Sequence, residues 1–240
     1  MIGNEEMNVL LLHHAGGDKY AFRPLQESLG ATVQCIALEA PGRGDRYGEP
    51  LQYSLNGLLD DFTEQIKQHI YTDYVIVGMS MGAVLTFLIT HRLKLQHQRL
   101  PQHIFLASRL PFSHYETNQM IAQSSSDAFW EFLSVYDSRS AIVAEHPELR
   151  AFYEPIIRAD FTAMQHFDQA FDNLPKLDIP CSILYGKEDV RMFDAELGKR
   201  WNEYFVRAPE YKAFDGGHFF LYENAAVADY ILETIRHGRG

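Results

Sequence analysis

Cysteines, basic residues and long apolar runs are all scarce in this sequence, and each scarcity removes a class of function. Cys35 and Cys181 stand singly in the apolar runs VQCIAL and PCSILY. With no C-x-x-C pair there is neither a disulfide framework nor a zinc-ribbon spacing, and two buried, reduced thiols fit a cytoplasmic protein. Lys and Arg number 21 against 32 Asp and Glu, a formal net charge of −11. Nucleic acid and anionic membrane surfaces both need a basic footprint, so neither is expected as a partner. The opening MIGNEEMN is acidic, with no basic stretch leading into an apolar core, so no secretory signal is expected. The longest uncharged run, 74–91, only reaches the length at which a membrane span begins. Two glycines and a serine in its middle, VIVGMSMGA, read better as strand, turn and helix.

Short apolar runs alternate with longer helical stretches. Residues 8–14 (NVLLLHH), 32–38 (TVQCIAL), 74–78 (YVIVG), 103–108 (HIFLAS), 181–186 (CSILYG) and, weakly, 211–214 predict strands. Residues 20–29, 55–69, 81–95 and 224–236 predict helices. Near-continuous apolar strands separated by helices imply an α/β fold, a mostly parallel sheet covered on both faces. The 240 residues suit one domain of this kind, with no repeat or flexible linker visible. From about 111 to 174 no strong strand is found. SDAFWEFLSVY and LRAFYEPIIRADFTAMQHF look helical and aromatic-rich, so this stretch is expected to form a helical lid insertion, the alternative being ordinary helices packed on the sheet.

Gly78-Met79-Ser80-Met81-Gly82 fits G-x-S-x-G. A serine at a sharp strand-to-helix turn stands its hydroxyl clear of the backbone, and flanking glycines allow the close approach this needs. The strand YVIVG precedes the motif and a helix follows, the context the motif requires; the alternative is a serine that merely caps the helix. A hydroxyl needs a positioned base. Among the 11 histidines, His218 lies in FDGGHFF, after the weak strand and before the last helix, where the α/β-hydrolase order Ser…Asp/Glu…His places it. Asp189, in the turn GKED after CSILYG, is the expected acid, with adjacent Glu188 as the alternative. The turn His13-His14-Ala15-Gly16-Gly17 after the first strand is a candidate oxyanion turn: Ala15 would offer one backbone N–H and Met81 the other. A phosphate loop is a poor fit, since neither G-x-x-x-x-G-K-[ST] nor a third glycine of G-x-G-x-x-G is present. Adjacent His13 and His14 would point to opposite faces of a strand, and no metal site is expected.

Five segments in order also resemble a known family. HHAGGDKYAFRPL is similar to the PxAGGxxxxFxxW-like opening of the type II thioesterases that work beside nonribosomal peptide and polyketide synthases. APGRGDRYGEP resembles their PGRxxRxxEP loop, GMSMGA their GHSMGA elbow, RADF their lid-region RADF, and GGHFFL their GGHFF. The resemblance implies an α/β-hydrolase fold, a triad at Ser80, Asp189 and His218, and an oxyanion hole at Ala15 and Met81. It implies hydrolysis of acyl thioesters from the phosphopantetheine of acyl or peptidyl carrier proteins, clearing stalled or misprimed units, with no cofactor of the enzyme's own. Two positions depart from the pattern: Met79 replaces a histidine and His13 stands where proline is common. Met79 could therefore alter the acyl pocket, and Phe129 and Trp130 could line an acyl channel, the alternative for both aromatics being helix packing. Another ester, lactone or peptide hydrolase, or a non-catalytic binding protein, are the competing readings, because a fold does not fix a function.

Overall fold

The structure is a computed structural model that describes residues 7–111, 121–136, 138–165, 167–171, 173–189 and 193–238. Six strands form one sheet: β1 (Asn8–Leu12), β2 (Gln34–Ala37), β3 (Tyr74–Met79), β4 (Ile104–Ala107), β5 (Cys181–Gly186) and β6 (Glu210–Phe214). Their order is β2-β1-β3-β4-β5-β6, and every neighbouring pair is parallel. The helices are α1 (Arg23–Leu29), α2 (Leu55–Lys67), α3 (Met81–Leu95), α4 (Ser126–Tyr136), α5 (Ser138–Ala144), α6 (Pro147–Ala163), α7 (Ala195–Gly198), α8 (Phe220–Glu223) and α9 (Ala226–His237).

The strands are apolar on both sides because both faces are covered. In β1, Leu10 and Leu12 join Ile76, Leu106 and Ile183 under α2 and α3. Val9 and Leu11 join Val75, Val77 and Leu184 against α1 and α9. Successive side chains of a strand point to opposite faces, so one five-residue strand serves two cores. α3 is buried almost all round from Met81 to Leu93, as a helix without a polar face must be. α2 starts where Ser54 Oγ accepts from Gly57 N–H at 3.1 Å.

Most expected elements are present with shifted ends. The helix expected over 20–29 opens as a 3-10 turn, Lys19–Phe22, capped by Asp18. The α-helix proper begins one residue before Pro24, a residue preset for a first helical turn. Thr32 belongs to a 3-10 turn, so β2 is shorter than its apolar run. Asn224 stands outside α9 because its side chain accepts from Ala226 N–H. Between β4 and β5 the described residues hold α4, α5, α6 and the 3-10 turn Phe167–Phe171, and no strand. The start of the expected insertion, 112–120, lies outside the described residues. Among the described residues no helix is long and apolar enough to cross a membrane.

The register aligns the carboxyl ends of the strands. Leu12 faces Gly78, Met79 faces Ala107, and Gly186 faces Phe214. The segments that follow β1, β3, β4, β5 and β6 therefore emerge on one rim. The chain order reverses between β1 and β3, the switch point at which parallel sheets open a crevice.

Two histidines are sealed in this core. His13 is fully buried with an edge on Phe62, and His91, 3% exposed, packs edge-on against Phe87. Burial lowers both pKa values from 6.5 to about 4. Below pH 6.5 the unfolded chain therefore binds protons that the fold refuses, so stability is full above pH 6.5 and falls towards pH 4, by at most about 1.4 kcal/mol per pH unit for each group. His91 Nε2 has no hydrogen-bond partner among the described residues, so His91→Leu removes a titrating group without orphaning another. Urea melts at pH 7 and pH 5 are expected to show the His91→Leu variant gaining on the wild type as pH falls; an unchanged gap would mean that this imidazole protonates inside the fold.

Candidate active site

Ser80 sits between β3 and α3 with φ 53° and ψ −107°, a conformation non-glycine residues avoid. Its neighbours explain how the turn is held. Ser80 N–H donates to Ala107 O at 2.8 Å, extending the β3–β4 ladder by one residue before the chain turns into the helix. A Cβ on Gly78 would lie 2.2 Å from Gly82 O, and one on Gly82 would lie 2.1 Å from Leu12 O and 2.9 Å from His13 O. Both glycines are thus required by close backbone approach, and the first turn of α3 lies against the end of β1. Ser80 makes no side-chain cap bond, which removes the capping alternative. Its carbonyl accepts from Ala83 and Val84, so the N–H groups of Met81 and Gly82 precede the first helical bond.

Asp189 and His218 meet, 29 residues apart in sequence, with Nδ1 of the imidazole 2.8 Å from Oδ2 of the carboxylate. Their side chains are 3% and 8% exposed. An ionised carboxylate only accepts, so the ring proton sits on Nδ1 and the Nε2 lone pair is left for a base. Glu188, the alternative acid, is exposed and otherwise engaged. Its carboxylate accepts from Gly216 N–H, and its own N–H donates to Gly216 O at 3.1 Å. Gly186 has no side chain where the Gly216 and Gly217 carbonyls pass. Glu188 thereby shapes the histidine loop and Asp189 holds the ring.

Ser108 was not visible in the sequence as a functional residue. It follows β4 with φ 50°, its N–H donates to Leu184 O at 2.9 Å, and its fully buried Oγ donates to His218 O at 3.0 Å. Ala107 anchors Ser80 and the next residue anchors His218, which brings the serine and histidine segments to one place on the rim. No motif marks Ser108; only the β3–β4–β5 pairing reveals it.

The turn after β1 is closed by Gly17 N–H donating to His14 O at 3.0 Å, with Gly16 at φ 78°, the conformation of the third residue of a type II turn. The central amide of the turn, Gly16 N–H, donates to Asp160 Oδ2 at 2.7 Å. Asp160 lies on α6 and forms a bidentate pair with Arg43, at 2.6 and 2.8 Å, that is almost wholly buried. Arg43 also donates to Gly17 O at 3.2 Å. One buried ion pair thus joins the loop after β2, the turn after β1 and the insertion. Ala15 is half-buried on that turn and Met81 is buried at the start of α3. Met79 packs with Val9, Phe22 and Val77 on the sheet face away from α3. Phe129 lies under the Arg158 guanidinium at 4.2 Å and against Trp130, whose Nε1–H donates to Glu154 at 2.8 Å. All three side chains are thus engaged in internal packing.

Residues 7–238 match the thioesterase domain family. The chain belongs to that family. Among curated thioesterase-like relatives, the probable anguibactin biosynthesis thioesterase AngT of Vibrio anguillarum is 27% identical, over 97% of this chain and 92% of its own length. The linear gramicidin dehydrogenase LgrE of Brevibacillus parabrevis is 22% identical, over 98% and 89%. The solved type II thioesterase YbtT from the yersiniabactin pathway superposes with a TM-score of 0.83 at 24% identity, covering 100% of this chain and 95% of that one. A likeness at that identity speaks for the thioesterase fold.

The ion pair makes a stability prediction for this thioesterase. Arg43→Met or Asp160→Leu alone strands a buried charge and is expected to cost about 3–5 kcal/mol in urea unfolding. The double variant should cost clearly less than the sum of the two. Strict additivity would show that the two groups do not stabilise each other.

Proposed function

We propose that this thioesterase hydrolyses acyl groups from the phosphopantetheine thiol of acyl or peptidyl carrier proteins, clearing stalled or misprimed units in nonribosomal peptide or polyketide assembly. The observation that carries the reading is the buried Asp189–His218 hydrogen bond on the rim where the strained Ser80 turn also lies. The similarity to AngT, described as a biosynthesis thioesterase, and to YbtT, a type II thioesterase from a nonribosomal peptide and polyketide pathway, supports the substrate class.

In this mechanism Ser80 is the nucleophile. His218 Nε2 takes the hydroxyl proton as Oγ attacks the thioester carbonyl, and Asp189 stabilises the imidazolium through Nδ1. The oxyanion is held by the N–H groups of Met81 and Ala15. The thiolate leaves, taking the proton from His218, and a water activated by the same ring then hydrolyses the acyl-enzyme. A thiolate needs little help to leave, so the site has no need of a second acid. No metal or resident cofactor takes part in this scheme. The dinucleotide reading suggested by the name of the LgrE relative finds little support, because Asp160 and Arg43 already bind the glycine turn that would have to cradle a pyrophosphate.

Ser80→Ala is expected to lower turnover of an acyl-carrier thioester by a factor on the order of 10⁴ or more, while the thermal midpoint holds, because Ala inherits the backbone strain of Ser and loses no capping bond. Wild-type kcat/KM on the carrier thioester should exceed that on the matching oxygen ester of a small alcohol. Turnover retained by the folded variant would remove the serine mechanism, and a preference for the oxygen ester would remove the carrier-protein reading.

A further inference from the structure

His13 is a buried histidine with two backbone partners. Its Nε2 faces Ala40 N–H at 3.2 Å, and its Nδ1 faces His14 O at 2.8 Å. A backbone N–H can only donate, so Nε2 must accept. In a neutral ring the proton then lies on Nδ1, and Nδ1–H donates to the His14 carbonyl. Burial first, then the nearby Arg43 guanidinium, holds the ring at a pKa of about 4, so it is neutral at ordinary pH and keeps this single tautomer.

The His14 carbonyl shares its peptide plane with the N–H of Ala15. In a trans peptide the two point in opposite directions, and the plane is stiff. Whatever fixes the direction of His14 C=O therefore fixes the direction of Ala15 N–H. Two donors fix it: Gly17 N–H, across the turn, and His13 Nδ1–H, from the core. The turn bond by itself leaves the plane free to tilt about the turn's axis; a second donor from another direction removes that freedom. The far side of the turn is pinned separately, through Gly16 N–H and Gly17 O on Asp160 and Arg43.

We infer that His13 is a positioning residue for the oxyanion hole, its Nδ1–H bond to the His14 carbonyl aiming the Ala15 N–H. The inference rests on the serine mechanism proposed above. A proline here would have no donor, so this chain holds the plane with a side chain that proline cannot supply.

Asn and Gln divide the two functions of the ring. The amide nitrogen of Asn stands near the position of Nδ1 and can donate to His14 O, whereas Gln extends towards the position of Nε2 and can serve Ala40 N–H. With a short acyl thioester, His13→Gln is expected to lower kcat by about 10- to 100-fold with KM changed less than about twofold, since a misaimed oxyanion donor affects the transition state alone. His13→Asn should keep kcat within about fivefold of wild type. Fluorophosphonate labelling of Ser80 should slow in the same order. Both variants leave one buried group unpaired, so both lose stability, and lost stability does not separate them. Equal kcat losses in the two variants, or wild-type kcat in His13→Gln, would overturn the inference. Ser80→Ala assayed alongside separates this failure from failure of the serine mechanism itself. ¹⁵N NMR of the wild type needs no variant to fold: it should show the His13 proton on Nδ1 at pH 7, and a proton on Nε2 would also overturn the inference.

Discussion

Arg43 and Asp160 are 117 residues apart, yet their side chains meet in a bidentate pair that solvent hardly reaches. Two charges in that setting are costly to bury and costlier to separate. The pair is therefore a constraint as much as a contact: the loop after β2 and helix α6 must close on the turn after β1 together. Asp160 Oδ2, already paired with Arg43, also accepts from Gly16 N–H, and Arg43 also donates to Gly17 O. The geometry of the turn after β1 thus depends on a residue of the helical insertion. A chain that folded its sheet without docking α6 would leave a buried guanidinium unpaired and the turn unpinned.

This bears on what the insertion can do. A lid that lifted as one rigid body would have to break the ion pair, a cost that a ligand would have to offset. The carboxyl-terminal half of α6 is better regarded as part of the scaffold. Pro155 lies inside α6 and removes one backbone donor there, which makes it the weakest point of that helix. Helix α4 is tied to both sides of it: Trp130 donates to Glu154 before the proline, and Phe129 packs on Arg158 and Phe161 after it.

Sequence reasoning reaches the fold and the family but not the braces. α3 and β5 begin and end where their apolar patterns do, because a strand or helix buried on all sides is written in consecutive residues. Asp189 was legible from its place after a late strand, and Ser80 and His218 from their glycine-flanked turns. The pairing of Asp160 with Arg43 could not be read, since nothing local links PGR to RADF. Ser108 and His13 were missed for the same reason. Their partners, His218 O and Ala40 N–H, are backbone atoms 110 and 27 residues away, and a backbone partner leaves no residue-type signature. Met79, expected to alter the acyl pocket because it replaces a histidine, and Phe129 and Trp130, expected to line a channel or pack a helix, all have internal packing partners.

Strain is distributed with a purpose along this rim. Ser80 and Ser108 follow neighbouring strands and both take positive φ, at a cost of order 1–3 kcal/mol each. Glycine would relieve either, but it would also delete the hydroxyl that each turn exists to present. The parallel sheet can absorb the cost because both residues are gripped by the next strand over, Ser80 N–H by Ala107 O and Ser108 N–H by Leu184 O. The ladder thus continues one residue beyond each strand end and holds the backbone while it turns. That arrangement explains why the two serines matter at different levels. In the proposed mechanism one offers its oxygen to a substrate, while the other donates to the carbonyl of His218, so the placement of the imidazole is set from β4 as well as from Asp189.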